Sequence, residues 1–143
     1  MSSKKSGSRK KAPKARRTGF WRTAANSDRH ELYEIAVQDV VAECEFIDRV
    51  WRALRGRTPS TLREDFCGTA KASTEWARRR AGNRAIGVDL DASVVRWGER
   101  RHRANLPESI ASRVEVRLAN VLEVETPPVE SVVAMNFSYF IFK

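Results

Sequence analysis

Four places in the chain put a carboxylate, an amide or a small residue where an apolar run gives way to a loop. They read Glu64-Asp65-Phe66-Cys67-Gly68-Thr69-Ala70, Asp89-Leu90-Asp91, Ala119-Asn120-Val121 and Asn136-Phe137-Ser138-Tyr139. Gly68 and Ala70 carry little side-chain bulk, so the backbone of the first turn can come close to a ligand. A helix starting just after it would favour a carboxylate or phosphate. Asp89 follows Gly68 at roughly the 20-residue separation at which an acid ending a second strand binds ribose hydroxyls. Glu64 and Asp65, leading into the turn, would repel a pyrophosphate and suit a ligand carrying positive charge.

The elements that must position these residues can be read from periodicity. Val37, Val40, Val41, Cys44, Ile47, Val50, Trp51 and Leu54 recur at spacings of three and four, which predicts one amphipathic helix over 31–54 ending near Gly56. A short strand is expected over 61–66, then a helix over about 70–81 closed by Gly82. The apolar run 85–90 suits a buried parallel strand, and Asp91 can cap a helix running to about Asn105. Val114, Val116 and Leu118 alternate with Glu115 and Arg117, marking a third strand; 131–137 reads as a fourth. Alternating strands and helices of these lengths predict an α/β fold with a doubly wound, mostly parallel Rossmann-like sheet. In such sheets ligands sit beyond the carboxyl ends of the strands, where all four chemistry-bearing segments fall.

Charge narrows the partners. The net charge is +9, yet residues 1–17 hold Lys4, Lys5, Arg9, Lys10, Lys11, Lys14, Arg16 and Arg17 and no acid, so the rest of the chain is nearly balanced. Residues 1–27 read as a disordered basic arm, and 28–143 as the folded domain. Residues 4–17 could contact RNA or another polyanion through phosphates, without reading sequence. The apolar stretch 132–142 is about half of the ~20 residues a membrane span needs, so no membrane partner is expected. Cys44, Cys67, His30 and His102 lack metal-ligand spacing, and no metal is expected. A cytoplasmic setting is the expectation, since the cysteines form no disulfide framework and the N-terminal charges have no apolar core behind them.

The Gly-x-Gly-x-x-Gly fingerprint of dinucleotide sites is absent, with Phe66 and Lys71 where further glycines would be sought. A nucleoside with an ammonium and a sulfonium group, S-adenosylmethionine, therefore fits the acids better than a nicotinamide dinucleotide. Residues 62–70 resemble motif I of the class I S-adenosylmethionine-dependent methyltransferases, in the variant with Asp-Phe-Cys-Gly at 65–68. Residues 86–91 resemble that family's second motif, 118–121 its third, and 132–139 its fourth strand and strand end. The resemblance implies that Glu64, Asp65, Cys67, Gly68 and Thr69 wrap the methionine portion of the cofactor. It further implies that Asp89 holds the ribose, that Leu90, Asn120 and Val121 lie at the adenine, and that Asn136 faces the transferred methyl group. The implied activity is methyl transfer to an unidentified acceptor by in-line displacement, with Asn136 the one candidate catalytic residue. The alternative is a non-catalytic module of the same cofactor fold, binding RNA or another polyanion through the basic arm.

The sequence departs from the family pattern at Phe66 and Ala70, where the first and third glycines usually stand, and Arg63 and Asp65 are unusual in a central strand. The family core has seven strands and this chain supplies four, which implies a C-terminally truncated form. Its fourth-strand edge would then be uncovered and prone to self-association. Other notable residues have plainer expected roles. Cys67 is expected to be a small residue at a tight turn, Tyr33 a core residue rather than a lid, and Trp51, Trp76 and Trp97 core or boundary aromatics. The Arg78–Arg80 run complements a helix dipole.

Overall fold

The structure is a computed structural model, and it describes residue 23, residues 25–136 and residues 138–141. The expected basic arm lies almost wholly outside the described residues, as does Phe137. In chain order the elements are α1 (Arg29–Val37), α2 (Val40–Arg55), β1 (Thr61–Asp65), α3 (Lys71–Arg79), β2 (Arg84–Asp89), α4 (Ala92–Arg101), α5 (Glu108–Ala111), β3 (Val114–Leu118) and β4 (Ser131–Ala134). The strands form one sheet in the order β3-β2-β1-β4, with every pair parallel. The parallel α/β arrangement is the one the alternating pattern implies. Among the described residues no helix is long and apolar enough to cross a membrane.

The core lies between the sheet and the α2–α3 layer. Cys44 and Ile47 of α2, Leu62 of β1, Trp76 of α3 and Ala85 of β2 pack together, with Trp51 and Val133 at the margin. Trp76 is fully buried, and its indole N–H donates to the Ser60 carbonyl at 3.3 Å, which satisfies the one polar atom of the side chain. Where the α3 helix ends at Arg79, three residues before Gly82, Arg113 supplies the closure. Its guanidinium donates to the carbonyls of Ala77, Arg80 and Asn83. Arg80, at the end of the arginine run, grips the buried Asp48 of α2 through two hydrogen bonds of 2.6 and 2.8 Å.

The single helix expected over 31–54 is two helices. Gln38 leaves helical backbone (φ −106°, ψ 110°), and the Asp39 carboxylate accepts from the Ala42 amide at 3.1 Å to start α2. An N-cap inside an otherwise continuous apolar pattern breaks the helix without interrupting its periodicity. The fourth strand is also shorter than expected: it stops at Ala134, because Asn136 turns into left-handed backbone at φ 56°.

Register explains the two charged residues inside β1. Successive side chains of a strand point to opposite faces. Leu62 and Glu64 face the helix layer and are buried, while Arg63 and Asp65 face the other way. There Arg63 pairs with Asp65 at 2.7 Å and donates to the Val121 carbonyl and the Thr126 hydroxyl. Arg117 of β3 similarly donates to Glu115 and to the Glu125 carbonyl. Paired charges thus fasten the 119–130 connection across this face. At the other end of the sheet, the Glu130 carboxylate accepts from the Ser60 and Thr61 amides, and the Glu130 amide donates to Thr61 Oγ1 at 2.9 Å. These reciprocal bonds set β4 against β1.

Candidate ligand site at the carboxyl end of the sheet

The turn after β1 is built from backbone that most side chains disfavour. Phe66 (φ 59°), Gly68 (φ 55°) and Ala70 (φ 54°) all lie in the left-handed region. Phe66 and Ala70 occupy this conformation at the positions where the resemblance puts glycines. The Cys67 amide donates to the Val88 carbonyl at 3.0 Å, and the Ala70 amide to the Cys67 carbonyl at 2.8 Å. Burial pushes the Cys67 thiol far above its usual range, so it remains a protonated, small packing group. A Cβ at Gly87 would come within 2.9 Å of the Cys67 sulfur, so the glycine in β2 makes room for this cysteine.

Asp89, the last residue of β2, holds the turn in place. Its Oδ2 accepts from the Gly68 amide at 2.7 Å and its Oδ1 from the Asp91 amide at 2.8 Å. Asp91 in turn caps α4 by accepting from the Ser93 and Val94 amides. Those backbone bonds hold the Asp91 carboxyl below the ordinary carboxylate range. The α4 helix lies directly on the turn: a Cβ at Gly98 would sit 2.1 Å from the Thr69 carbonyl oxygen.

Glu64 stands at the inner end of β1 and is only 3% exposed. Burial pushes its carboxyl up to about 7, against two hydrogen bonds that Oε2 accepts from the amide and hydroxyl of Ser73 at 2.9 and 2.6 Å. The site therefore contains an acid that exchanges its proton near neutral pH.

The α1 helix closes the top. Its buried Glu34 accepts from Thr69 Oγ1 at 2.6 Å, contacts His102 Nε2 at 2.5 Å and lies 3.8 Å from the Lys71 ammonium. Asp28, the α1 N-cap, also accepts from the Trp97 indole at 2.8 Å. Trp97 is thus a joint between α1 and α4, beyond the α2–α3 core.

These pieces border an open cavity of about 470 Å³, lined by Glu64 of β1, by Phe66, Cys67 and Gly68 after it, by Asp89 at the end of β2 and by Asp91 and Val94 beyond it. Met135, Asn136 and Ser138 after β4 complete the floor, with Arg29, His30, Tyr33 and Gln38 on the α1 side. It lies where the strand order reverses, between β1 and its two neighbours. Among the expected site residues, Glu64, Cys67, Gly68, Asp89 and Asn136 share this cavity. Thr69 does not line it, its hydroxyl being taken by Glu34; Asp65 is turned to the opposite face by Arg63. Leu90 is 68% exposed beside Asp89, while Asn120 caps its own turn by accepting from the Leu122 amide. The Val121 carbonyl is held by Arg63.

Tyr33 departs from its expected core role: it is 47% exposed and walls the cavity. Glu34, Gln38 and Gly98 were not singled out by sequence reasoning. A glycine in α4, a helix interior that glycine disfavours, is the one signal that could have pointed to Gly98; nothing local marks Glu34 or Gln38. Among the described residues, no group of three or more His, Cys, Asp or Glu is placed to hold a metal ion.

The fold matches solved methyltransferase structures. The plantazolicin methyltransferase BamL, determined with a triazolic desmethylPZN analog and S-adenosylhomocysteine, aligns with a TM-score of 0.55 at 11% identity, covering 73% of this chain and 36% of that one. The methyltransferase domain of bacterial CtHen1 gives 0.53 at 14% identity, over 64% and 48%. The glycopeptide N-methyltransferase MtfA gives 0.52 at 16% identity, over 80% and 47%. The chain spans between about a third and a half of the length of these structures. No protein-family profile and no curated protein sequence matches it. At such identities the likeness is one of fold, a Rossmann-like parallel α/β sheet such as these methyltransferases carry.

Proposed function

We propose that this cavity binds S-adenosylmethionine and that the chain serves methyl transfer to a substrate nucleophile. The observation that carries the reading is the Gly68–Asp89 hydrogen bond, which brings a glycine backbone and a strand-end carboxylate to one cavity wall. The residues fit such a ligand. About 470 Å³ falls within the range of small-molecule cofactor sites. Glu64, Asp89 and Asp91 in the wall suit a ligand with two positive groups and disfavour a pyrophosphate.

When bound, S-adenosylmethionine supplies an electrophilic methyl group on its sulfonium. The chain's own residues bind and orient. Each Asp89 oxygen accepts one backbone N–H and retains a lone pair for a ribose hydroxyl. Glu64, ionised above neutral pH, offsets positive charge at the end of β1. Leu90, Asn120 and Val121, which follow β2 and β3, would contact the adenine of a cofactor whose ribose is held by Asp89. Arg29, His30 and Tyr33 would flank the ligand on the α1 side. Asn136, at the β4 end of the same cavity, would meet the methyl acceptor. Positioning and charge placement supply most of such a reaction's acceleration, and no residue of the chain is assigned as a general base.

Two partner assignments belong to the same proposal. Residues 4–17 supply a basic arm for RNA or another polyanion, with strongly salt-dependent affinity. Among the described strands β4 pairs with β1 alone, and its Val132 is 59% exposed, which supports self-association along that edge. Thermal denaturation with S-adenosylmethionine, S-adenosylhomocysteine or NAD tests the central reading. The first two are expected to raise the midpoint and NAD to leave it unchanged. Equal stabilisation by NAD, or none by either adenosyl compound, would overturn it.

A further inference from the structure

We infer that Gln38 is a ligand-binding residue of this cavity, its carboxamide oxygen accepting a hydrogen bond from the ammonium group at the amino-acid end of the cofactor. The inference rests on the S-adenosylmethionine reading and adds a contact that no motif of the chain assigns. Gln38 is the residue at which α1 ends, and its backbone amide is satisfied by the Glu34 carbonyl at 3.3 Å. The side chain lines the cavity, and its Oε1 is buried with no hydrogen-bond partner. Buried carboxamide oxygens in folded proteins nearly always have a donor, and one left without a donor at a cavity wall calls for a ligand that brings one.

The surrounding charge selects the donor. Glu64, Asp89 and Asp91 outnumber Arg29 in the same lining and make it favourable to a cationic N–H. Topology selects which end of the ligand arrives. With the ribose at Asp89 after β2, the opposite end of the ligand meets the wall formed by Glu64 at the end of β1 and by Gln38 before α2. Glu34 is the residue that keeps this arrangement. By holding α1 to Thr69, it fixes the point where α1 gives way to Gln38.

Calorimetric titrations of wild type, Gln38→Met and Gln38→Glu with S-adenosylhomocysteine and with 5′-methylthioadenosine test the assignment. The second ligand keeps the nucleoside and lacks the amino-acid end. Gln38→Met, similar in length and without an acceptor, is expected to weaken S-adenosylhomocysteine binding about tenfold and leave methylthioadenosine within about twofold. Gln38→Glu keeps an acceptor oxygen and is expected to retain most of the wild-type affinity for S-adenosylhomocysteine. Equal weakening of both ligands by Gln38→Met would make the role structural and overturn the inference. Unchanged S-adenosylhomocysteine affinity would also overturn it, by assigning the oxygen to water. If wild type binds neither ligand, the underlying reading fails, and that result is distinct because it appears before any substitution.

Discussion

The Gly68 amide donates a 2.7 Å hydrogen bond to Asp89 Oδ2, tying the turn after β1 to the end of β2. The other oxygen of the same carboxylate receives the Asp91 amide, so one side chain fixes both loops of the site. Truncating it leaves two backbone donors without their acceptor. Asp89→Ala is expected to cost about 1–3 kcal/mol, measured by urea denaturation with an unchanged slope.

Gly98 is required by contact rather than by backbone freedom. A Cβ there would lie 2.1 Å from the Thr69 oxygen and 2.6 Å from its carbonyl carbon, both backbone atoms that cannot swing aside. Gly98→Ala must push α4 off the turn and is expected to cost at least about 2 kcal/mol. Gly82, whose Cβ would meet nothing within 4 Å, provides the control. Gly82→Ala should stay within about 0.5 kcal/mol of wild type in the same denaturation experiment.

Ala70 holds left-handed backbone at φ 54° without the freedom of glycine. Left-handed conformation costs an L-residue about 1–2 kcal/mol, while a glycine adds about 0.5–1 kcal/mol of unfolded-state entropy. Ala70→Gly is therefore expected to leave stability unchanged or raise it by up to about 1.5 kcal/mol. Gly68→Ala, at φ 55° with its nearest neighbour 4.0 Å away, should lower it by about 1 kcal/mol through backbone strain alone. Thermal melts of the two variants, read against wild type, check the opposed signs.

Glu64 gives the site a pH dependence with a definite sign. Its carboxyl is raised from 4.5 to about 7 in the folded chain, chiefly by burial. Between those values the native state binds the extra proton, so this group's contribution makes stability fall as pH rises from about 4.5 through 7. Ligand affinity runs the other way, because the ionised carboxylate attracts a cation. S-adenosylmethionine binding is expected to strengthen between pH 6 and 8, and Glu64→Gln should flatten both profiles.

Much of this arrangement is legible in the sequence, for local reasons. The strand ends, the Asp91 cap and the turn at Gly68 each follow from residue types within a few positions of one another. What escaped is of two kinds. The pairing of Glu64 with Asp65 as joint ligands ignored the two-residue period of a strand, which sends Glu64 to Ser73 and Asp65 to Arg63 on the other face. The contacts of Glu34 with Thr69, Trp97 with Asp28, and Gly98 with the Thr69 backbone join residues tens of positions apart. No local pattern encodes them. Helix periodicity likewise runs unbroken across Gln38 and Asp39, because a single capping carboxylate can restart a helix in phase with the one before it.

The most direct test is a calorimetric titration of S-adenosylhomocysteine into the wild-type chain and into Asp89→Asn, which keeps one acceptor oxygen and loses the charge. The account predicts saturable one-to-one binding by wild type and affinity at least about tenfold weaker in the variant. Absence of binding by folded wild-type protein, or equal affinity in the two, would contradict it.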